Sequence, residues 1–190
     1  MAIFCWPSMI LQSKAEDVVD FSGKNGIISS IISDMHKLMK EHNGIGLAAN
    51  QIGQLINIFV MDCQGISGTF INARLIDLSE ETFKYTEGCL SFPGVSVKTN
   101  RSKSVIVEYC TISGEIKTEE FNGLPAVCVQ HEISHLHGQT IVDLLSPLRK
   151  KLVLERYAKQ LEQIRRAHVA QRSNQKNQFV KLGQSQNSSK

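Results

Sequence analysis

The sequence predicts an α+β protein, with antiparallel strands packed around one central helix and a further helix toward the C-terminus. Two observations lead there. Apolar residues recur at helical spacing in three segments, and short strand-like runs cluster between the first segment and the second without strand–helix alternation. Over 25–41, Ile27, Ile28, Ile31, Ile32, Met35, Leu38 and Met39 form one apolar helix face. Residues 44–51 read as a turn of small residues. Strand candidates follow at 56–61 (closed by Gly65 and Gly68), 69–74, 82–86, 104–110 and 115–121. Ser113-Gly114 is a tight-turn signal, so the last two should form a hairpin. Residues 124–129 are almost wholly apolar, with Pro125 suited to a first helical turn and Gly138 to a helix stop, which predicts a buried central helix. The final helix, expected over 147–168, places Val153, Tyr157, Leu161, Ile164 and His168 on one face. Arg149, Lys150, Lys151, Arg156, Lys159, Arg165 and Arg166 make its remainder basic. One domain over 1–170 and a disordered polar tail over 171–190 are the expected organisation.

Composition narrows the class. Hydrophobic content of 42% and charged content of 21% are ordinary for a globular chain, and a net charge of +3 is too small to mark a DNA-binding protein. No apolar run nears the ~20 residues that span a bilayer. The start Met1-Ala2-Ile3-Phe4-Cys5-Trp6-Pro7 lacks the basic and apolar regions of a secretory signal, so a cytoplasmic location is expected. Five scattered cysteines (Cys5, Cys63, Cys89, Cys110, Cys128) argue against a disulfide framework. All but Cys89 are expected to be small buried hydrophobes.

Gln130-His131-Glu132-Ile133-Ser134-His135 carries the chemistry. Residues four apart share a helix face, so His131 and His135 can aim two imidazoles at one cation. Glu132 can then take a proton from a water held there, with that water as nucleophile. Paired histidines also occur on ordinary surface helices, but here the preceding residues are apolar. A buried His-Glu-His cluster without partners would be costly. The pattern points to metal-assisted hydrolysis of a carbonyl compound.

A catalytic metal needs a third protein ligand. His137 lies about 240° round the helix from His131 and faces elsewhere. A histidine six residues beyond His135 is excluded, because that position is Ile141. Glu155, on the next helix, remains possible. The strongest candidate is Cys89 in Glu87-Gly88-Cys89-Leu90-Ser91, between an expected strand and a turn.

Taken together, Gly44-Ile45-Gly46-Leu47-Ala48-Ala49-Asn50-Gln51, Glu87-Gly88-Cys89-Leu90-Ser91 and Gln130-His131-Glu132-Ile133-Ser134-His135 resemble the three motifs of the peptide deformylase family, in the family's order. Leu136, Gly138, Pro7 and Leu11 also fit, and the likeness covers roughly residues 3 to 165. The resemblance implies an enzyme that removes the formyl group from the N-terminal formylmethionine of nascent polypeptides and releases formate. It implies Cys89, His131 and His135 as metal ligands, with Fe²⁺ the usual ion and Zn²⁺ or Ni²⁺ forms known. Glu132 becomes the general base and acid. Gln51 and the backbone N–H of Leu90 become donors to the formyl oxygen. Ile45, Val127 and Cys128 are placed to line a methionine slot, the last two on the turn just before the ligand helix. Backbone groups of Ile45, Gly46 and Gly88 would bind the peptide as an added strand. Glu87 paired with Arg101 would support the ligands from behind.

One position departs from the family, which generally has Asp where this chain has Ser134. A hydroxyl carries no charge, so support of the site is either weaker or supplied elsewhere. Two other functions compete: a zinc metallopeptidase using Glu155, and a non-catalytic ribosome-associated module that keeps the site for stability. The basic C-terminal helix suits docking on ribosomal RNA near the exit of nascent chains. Its competing explanation is a solvated helix face.

Overall fold

The isoleucine- and methionine-rich segment forms α1 (Ile27–Glu41), burying Ile31, Ile32, Met35, Leu38 and Met39 on one face. A computed structural model describes residues 1–20, 26–164 and 166. After α1 come β1 (Gly46–Ala48) and a 3-10 turn over Ala49–Ile52, which Gly53 ends at φ 85°. Five strands run on to the hairpin: β2 (Ile58–Cys63), β3 (Ile66–Leu78), β4 (Thr82–Gly88), β5 (Ser96–Ser102) and β6 (Ser104–Cys110). Then β7 (Ile116–Asn122) leads into α2 (Leu124–Leu136) and a 3-10 turn over Ile141–Leu144. A last helix, α3, covers 147–164. The fold is α+β, as expected.

Two antiparallel sheets form, one of five strands in the order β1-β2-β3-β6-β7 and one of β4 with β5. Several expected boundaries move. β2 starts two residues later than expected, and β3 runs far beyond 69–74, straight through Gly68. Register shifts in β3 near Asn72 and Leu75, with Asn72 at φ 53°, break the alternation that would have betrayed its length. The β6–β7 hairpin forms as expected, with Gly114 at φ 82° in its turn. β1 and β5 were not expected.

Alternation in β2 explains its continuous apolar run. Phe59 and Met61 face α2, packing with Phe70, Val107, Phe121, Ala126, Val129 and Ile133. Ile58 and Val60 face α1, packing with Met35, Met39, Leu47 and Ile71. Both faces of the strand are therefore buried. Each such side chain contributes about 1.5–3 kcal/mol of burial free energy. Phe59 and Phe70 stack at 4.5 Å on the α2 side. α2 packs against β1, β2, β3, β5 and β7, which makes it the central helix.

The chain divides into two units at the boundary between Ser146 and Pro147. In the second, α3 exposes Arg149, Lys151, Arg156 and Lys159. Arg165, His168 and the expected tail over 171–190 lie outside the described residues. No helix among the described residues is long and apolar enough to cross a membrane.

Candidate metal centre

Pro125 sits in the first turn of α2, and Gly138, at φ 75°, follows the helix end. Between them the helix is buried almost throughout, including Gln130, His131, Glu132 and His135. Burial all round comes from the sheet on one side and the site on the other. Val127 and Cys128 lie within α2 itself, one turn before His131, rather than on a turn preceding it.

The ends of β4 and α2 meet at the site. Cys89 follows β4 directly, and its Sγ lies 3.2 Å from His135 Nε2. The ligand atoms of Cys89, His131 and His135 all lie within 4.8 Å of one another, and among the described residues they are the one such group of three. Glu155 is not in it; it pairs with Lys151 at 4.0 Å on its own helix. The two imidazole rings are 4.9 Å apart.

A carboxylate network orients the first histidine. His131 Nδ1 is 2.8 Å from Glu87 Oε2, which leaves Nε2 to face Cys89 and His135. Glu87 also accepts from Arg101 Nε at 2.7 Å, from Arg101 Nη2 at 3.0 Å and from Thr99 Oγ1. Burial alone would raise the Glu87 carboxyl, but bonds from His131 and Arg101 outweigh it and hold it at about 2. Arg101 Nη1 reaches Ser134 Oγ at 3.4 Å, while Ser134 donates to Gln130 O at 2.6 Å. Ser134 therefore meets the Arg101 guanidinium with an uncharged hydroxyl, and the charge that pairs with Arg101 comes from Glu87.

The residues fit a bound cation. Burial pulls the His131 imidazole down, yet the Cys89 sulfur and the Glu87 carboxylate lift it to about 10, so the pocket calls for positive charge there. His135 sits oppositely: burial and the neighbouring His131 hold it well below its usual value, as a neutral donor. Thiolate and imidazole together suit Fe²⁺, Zn²⁺ and similar ions.

Glu132 is buried, and burial raises its carboxyl to about 7 despite the opposing pull of His131. Its Oε2 has no hydrogen-bond partner among the described residues. Gly46 makes room for it: a Cβ there would sit 2.7 Å from Cys128 Sγ and closer still to Glu132 Oε1.

Gln51 is fixed from both ends. Its Oε1 accepts from Ala48 N–H at 2.9 Å, which turns Nε2 toward Ser91 Oγ at 3.1 Å and Cys89 Sγ at 3.6 Å. Among the described residues no acceptor takes the Leu90 N–H. A cavity of ≈ 650 Å³ opens beside these groups, and Ile45, Gly46, Gly88, Leu90, Val127 and Cys128 all line it.

Ile45 lines the cavity while being bonded within the protein through one of its backbone groups. Its carbonyl turns into the sheet, accepting from Asp62 N–H at 2.9 Å and from Cys128 Sγ at 3.5 Å. Gly46 is opposite Met61 on the outermost strand, and alternation points its N–H and C=O away from β2. Cys5 and Cys110 are only half-buried, unlike Cys63 and Cys128. Sequence reasoning missed Thr99 because β5 itself was missed. It also passed over Ser91, although that residue stands in the quoted cysteine motif.

Comparison with known proteins points to one family. The family model described as polypeptide deformylase matches residues 1–151. A peptide deformylase of Acinetobacter baumannii is 37% identical over 173 residues, covering 90% of this chain and 97% of that one. The crystal structure of peptide deformylase from Thermotoga maritima superposes with TM-score 0.73 at 36% identity, covering 77% of this chain and 97% of that one. A Met-Ala-Ser-bound structure of a class I type b peptide deformylase from Acinetobacter baumannii gives TM-score 0.72 at 27% identity, covering 76% and 98%.

Proposed function

The chain belongs to the polypeptide deformylase family, metal-dependent hydrolases that remove the formyl group from nascent polypeptides, and from that premise we propose how its own residues perform the reaction. Cys89, His131 and His135 would hold one divalent cation, which when bound would supply positive charge at the formyl carbonyl and lower the pKa of water from about 15.7 toward about 7. Glu132 takes the proton from the water that attacks the formyl carbon. It then delivers that proton to the amine as the carbon–nitrogen bond breaks, leaving formate and a free N-terminus. Burial raises the Glu132 carboxyl, which favours the protonated form it takes up midway through the reaction. Gln51 Nε2 and the Leu90 N–H receive the charge that grows on the formyl oxygen. The observation that carries this reading is the convergence of Cys89, His131 and His135 beside the unpartnered Glu132 Oε2.

The substrate lies along β1, whose outer edge offers the N–H and C=O of Gly46, with Gly88 on the facing wall. Ile45 contributes its side chain rather than its carbonyl. With Val127 and Cys128 it lines an apolar slot for methionine, in keeping with the Met-Ala-Ser peptide of the related structure. Formate release from formyl-Met-Ala-Ser tests the whole reading. Wild type should turn over, and Glu132→Gln should lose about 10²- to 10⁴-fold in kcat while keeping its metal. Undiminished turnover in Glu132→Gln contradicts it.

Fe²⁺ is the proposed native ion. An iron form loses activity in air as iron and thiolate oxidise, whereas activity stable in air points to Zn²⁺ or Ni²⁺. We propose further that α3 docks on ribosomal RNA, its exposed Arg149, Lys151, Arg156 and Lys159 supplying salt-sensitive attraction to phosphates. Truncation after Pro147 should then abolish co-sedimentation with ribosomes at low salt, and unchanged co-sedimentation refutes it. A single catalytic domain over 1–170 and a cytoplasmic location complete the proposal, the latter in keeping with five cysteines that form no disulfide framework. Limited proteolysis and cell fractionation test these two.

A further inference from the structure

One stretch near the N-terminus touches all three segments that build the site. Phe4 N–H donates to Gln51 O at 2.7 Å, Trp6 N–H to Ser91 O at 3.0 Å, and Ala15 N–H to Leu136 O at 2.8 Å. Close contacts reinforce each tie. The Trp6 ring stacks on Phe92 at 5.8 Å and 18°, and Phe92 is fully buried under the cavity it lines. Phe4 lies over Gly53, where an added Cβ would come within 2.8 Å of its ring. Gly53 closes the turn that carries Gln51, so the ring presses on that turn directly. At the other end, a Cβ on Gly138 would sit 2.6 Å from Gln12 O. None of residues 4–15 lines the cavity.

We propose that Phe4–Trp6 is a positioning strap that sets the separation between the Gln51 amide and the Leu90 N–H. The inference rests on the reading of those two groups as donors to the formyl oxygen. They stand on different loops, 39 positions apart in sequence. Donors of this kind act only when 2.7–3.1 Å from the developing charge, and a displacement of ~1 Å costs about a hundredfold in rate. A single segment bonded to Gln51 O and to Ser91 O ties both loops to one rigid reference. Any drift of one loop against the other must break a backbone hydrogen bond or unstack Trp6 from Phe92. Residues 4–6 thus act on the reaction through other residues, not on the substrate.

The test uses the full metal-loaded chain with formyl-Met-Ala-Ser. Trp6→Ala and Phe4→Ala should each lower kcat about tenfold, with KM, metal content and affinity for the product peptide Met-Ala-Ser held within about twofold. Trp6→Phe should restore kcat. Trp6→Leu provides a second variant should Trp6→Ala fail to fold. An unchanged kcat overturns the proposal, as does a fall that only tracks lost metal or lost folded protein. Gln51→Ala, run in parallel, separates the two layers. Loss there without loss in the strap variants overturns the strap alone, and no loss in Gln51→Ala overturns the donor reading beneath it.

Discussion

Glu87 Oε2 lies 2.8 Å from His131 Nδ1 in a position where both groups are buried. That contact fixes which imidazole nitrogen is left for a cation. The same carboxylate is held in place by both Arg101 Nε and Arg101 Nη2, so the orientation of a ligand depends on a side chain from β5. Glu87→Gln should therefore weaken metal binding by about 10- to 100-fold, read by competition against a chromophoric chelator. Arg101→Met should destabilise the fold by about 3–5 kcal/mol, because it strands a buried carboxylate; the double variant should recover part of that loss. Strictly additive losses would mean that the pair is not coupled.

Gly46 is needed for space. Its added Cβ would meet Cys128 Sγ at 2.7 Å and press on the Glu132 carboxylate. Gly46→Ala should cut kcat by about 10²-fold while metal stoichiometry stays at wild type. Full activity in this variant would show that Glu132 need not lie where the structure places it.

Ser91 holds the Gln51 amide at 3.1 Å, and Ala48 N–H holds its other end. Gln51→Ala should lose about 10²- to 10³-fold in kcat, as removal of one donor typically does, and Ser91→Ala should lose less because Ala48 still orients the amide. Steady-state formate release measures both. A larger loss in Ser91→Ala than in Gln51→Ala reverses the proposed order of action.

Much of this site was legible in the chain because chemistry fixes spacing on a helix. His131 and His135 had to share a face, and Glu132 had to lie beside them. The strand behind them was illegible for a physical reason. β5 turns Val97, Thr99 and Arg101 inward, and two of those three are polar because they face Glu87 rather than an apolar core. Alternation of apolar and polar residues cannot reveal such a strand. β1 is only three residues long and carries a glycine, so its composition reads as a turn. What made Gly46 indispensable is a carboxylate from a helix far along the chain, which no local pattern encodes.

Away from the site, Asp17 ties the N-terminal segment to the large sheet. It accepts from Asn57 Nδ2 at 2.8 Å and pairs with Arg74. The Asn57 bond, aided by Arg74, holds its carboxyl below the usual 3.8 despite partial burial. A folded-state value below the unfolded one contributes stability above the unfolded value and loses it as pH falls through the folded one. Asp17→Asn should thus lower Tm at pH 6, and the difference should shrink as pH falls through the lowered value of the Asp17 carboxyl, where the wild-type group is protonated too. Half-exposure and salt screening keep the effect small. A Tm difference independent of pH would contradict this account.

X-ray absorption on the chain loaded with one equivalent of Zn²⁺ or Fe²⁺ tests the ligand set most directly. The expected first coordination shell contains one sulfur and two imidazole nitrogens, and the sulfur disappears in Cys89→Ser. A shell without sulfur in the wild-type protein, or an unchanged shell in Cys89→Ser, would contradict the account at its foundation.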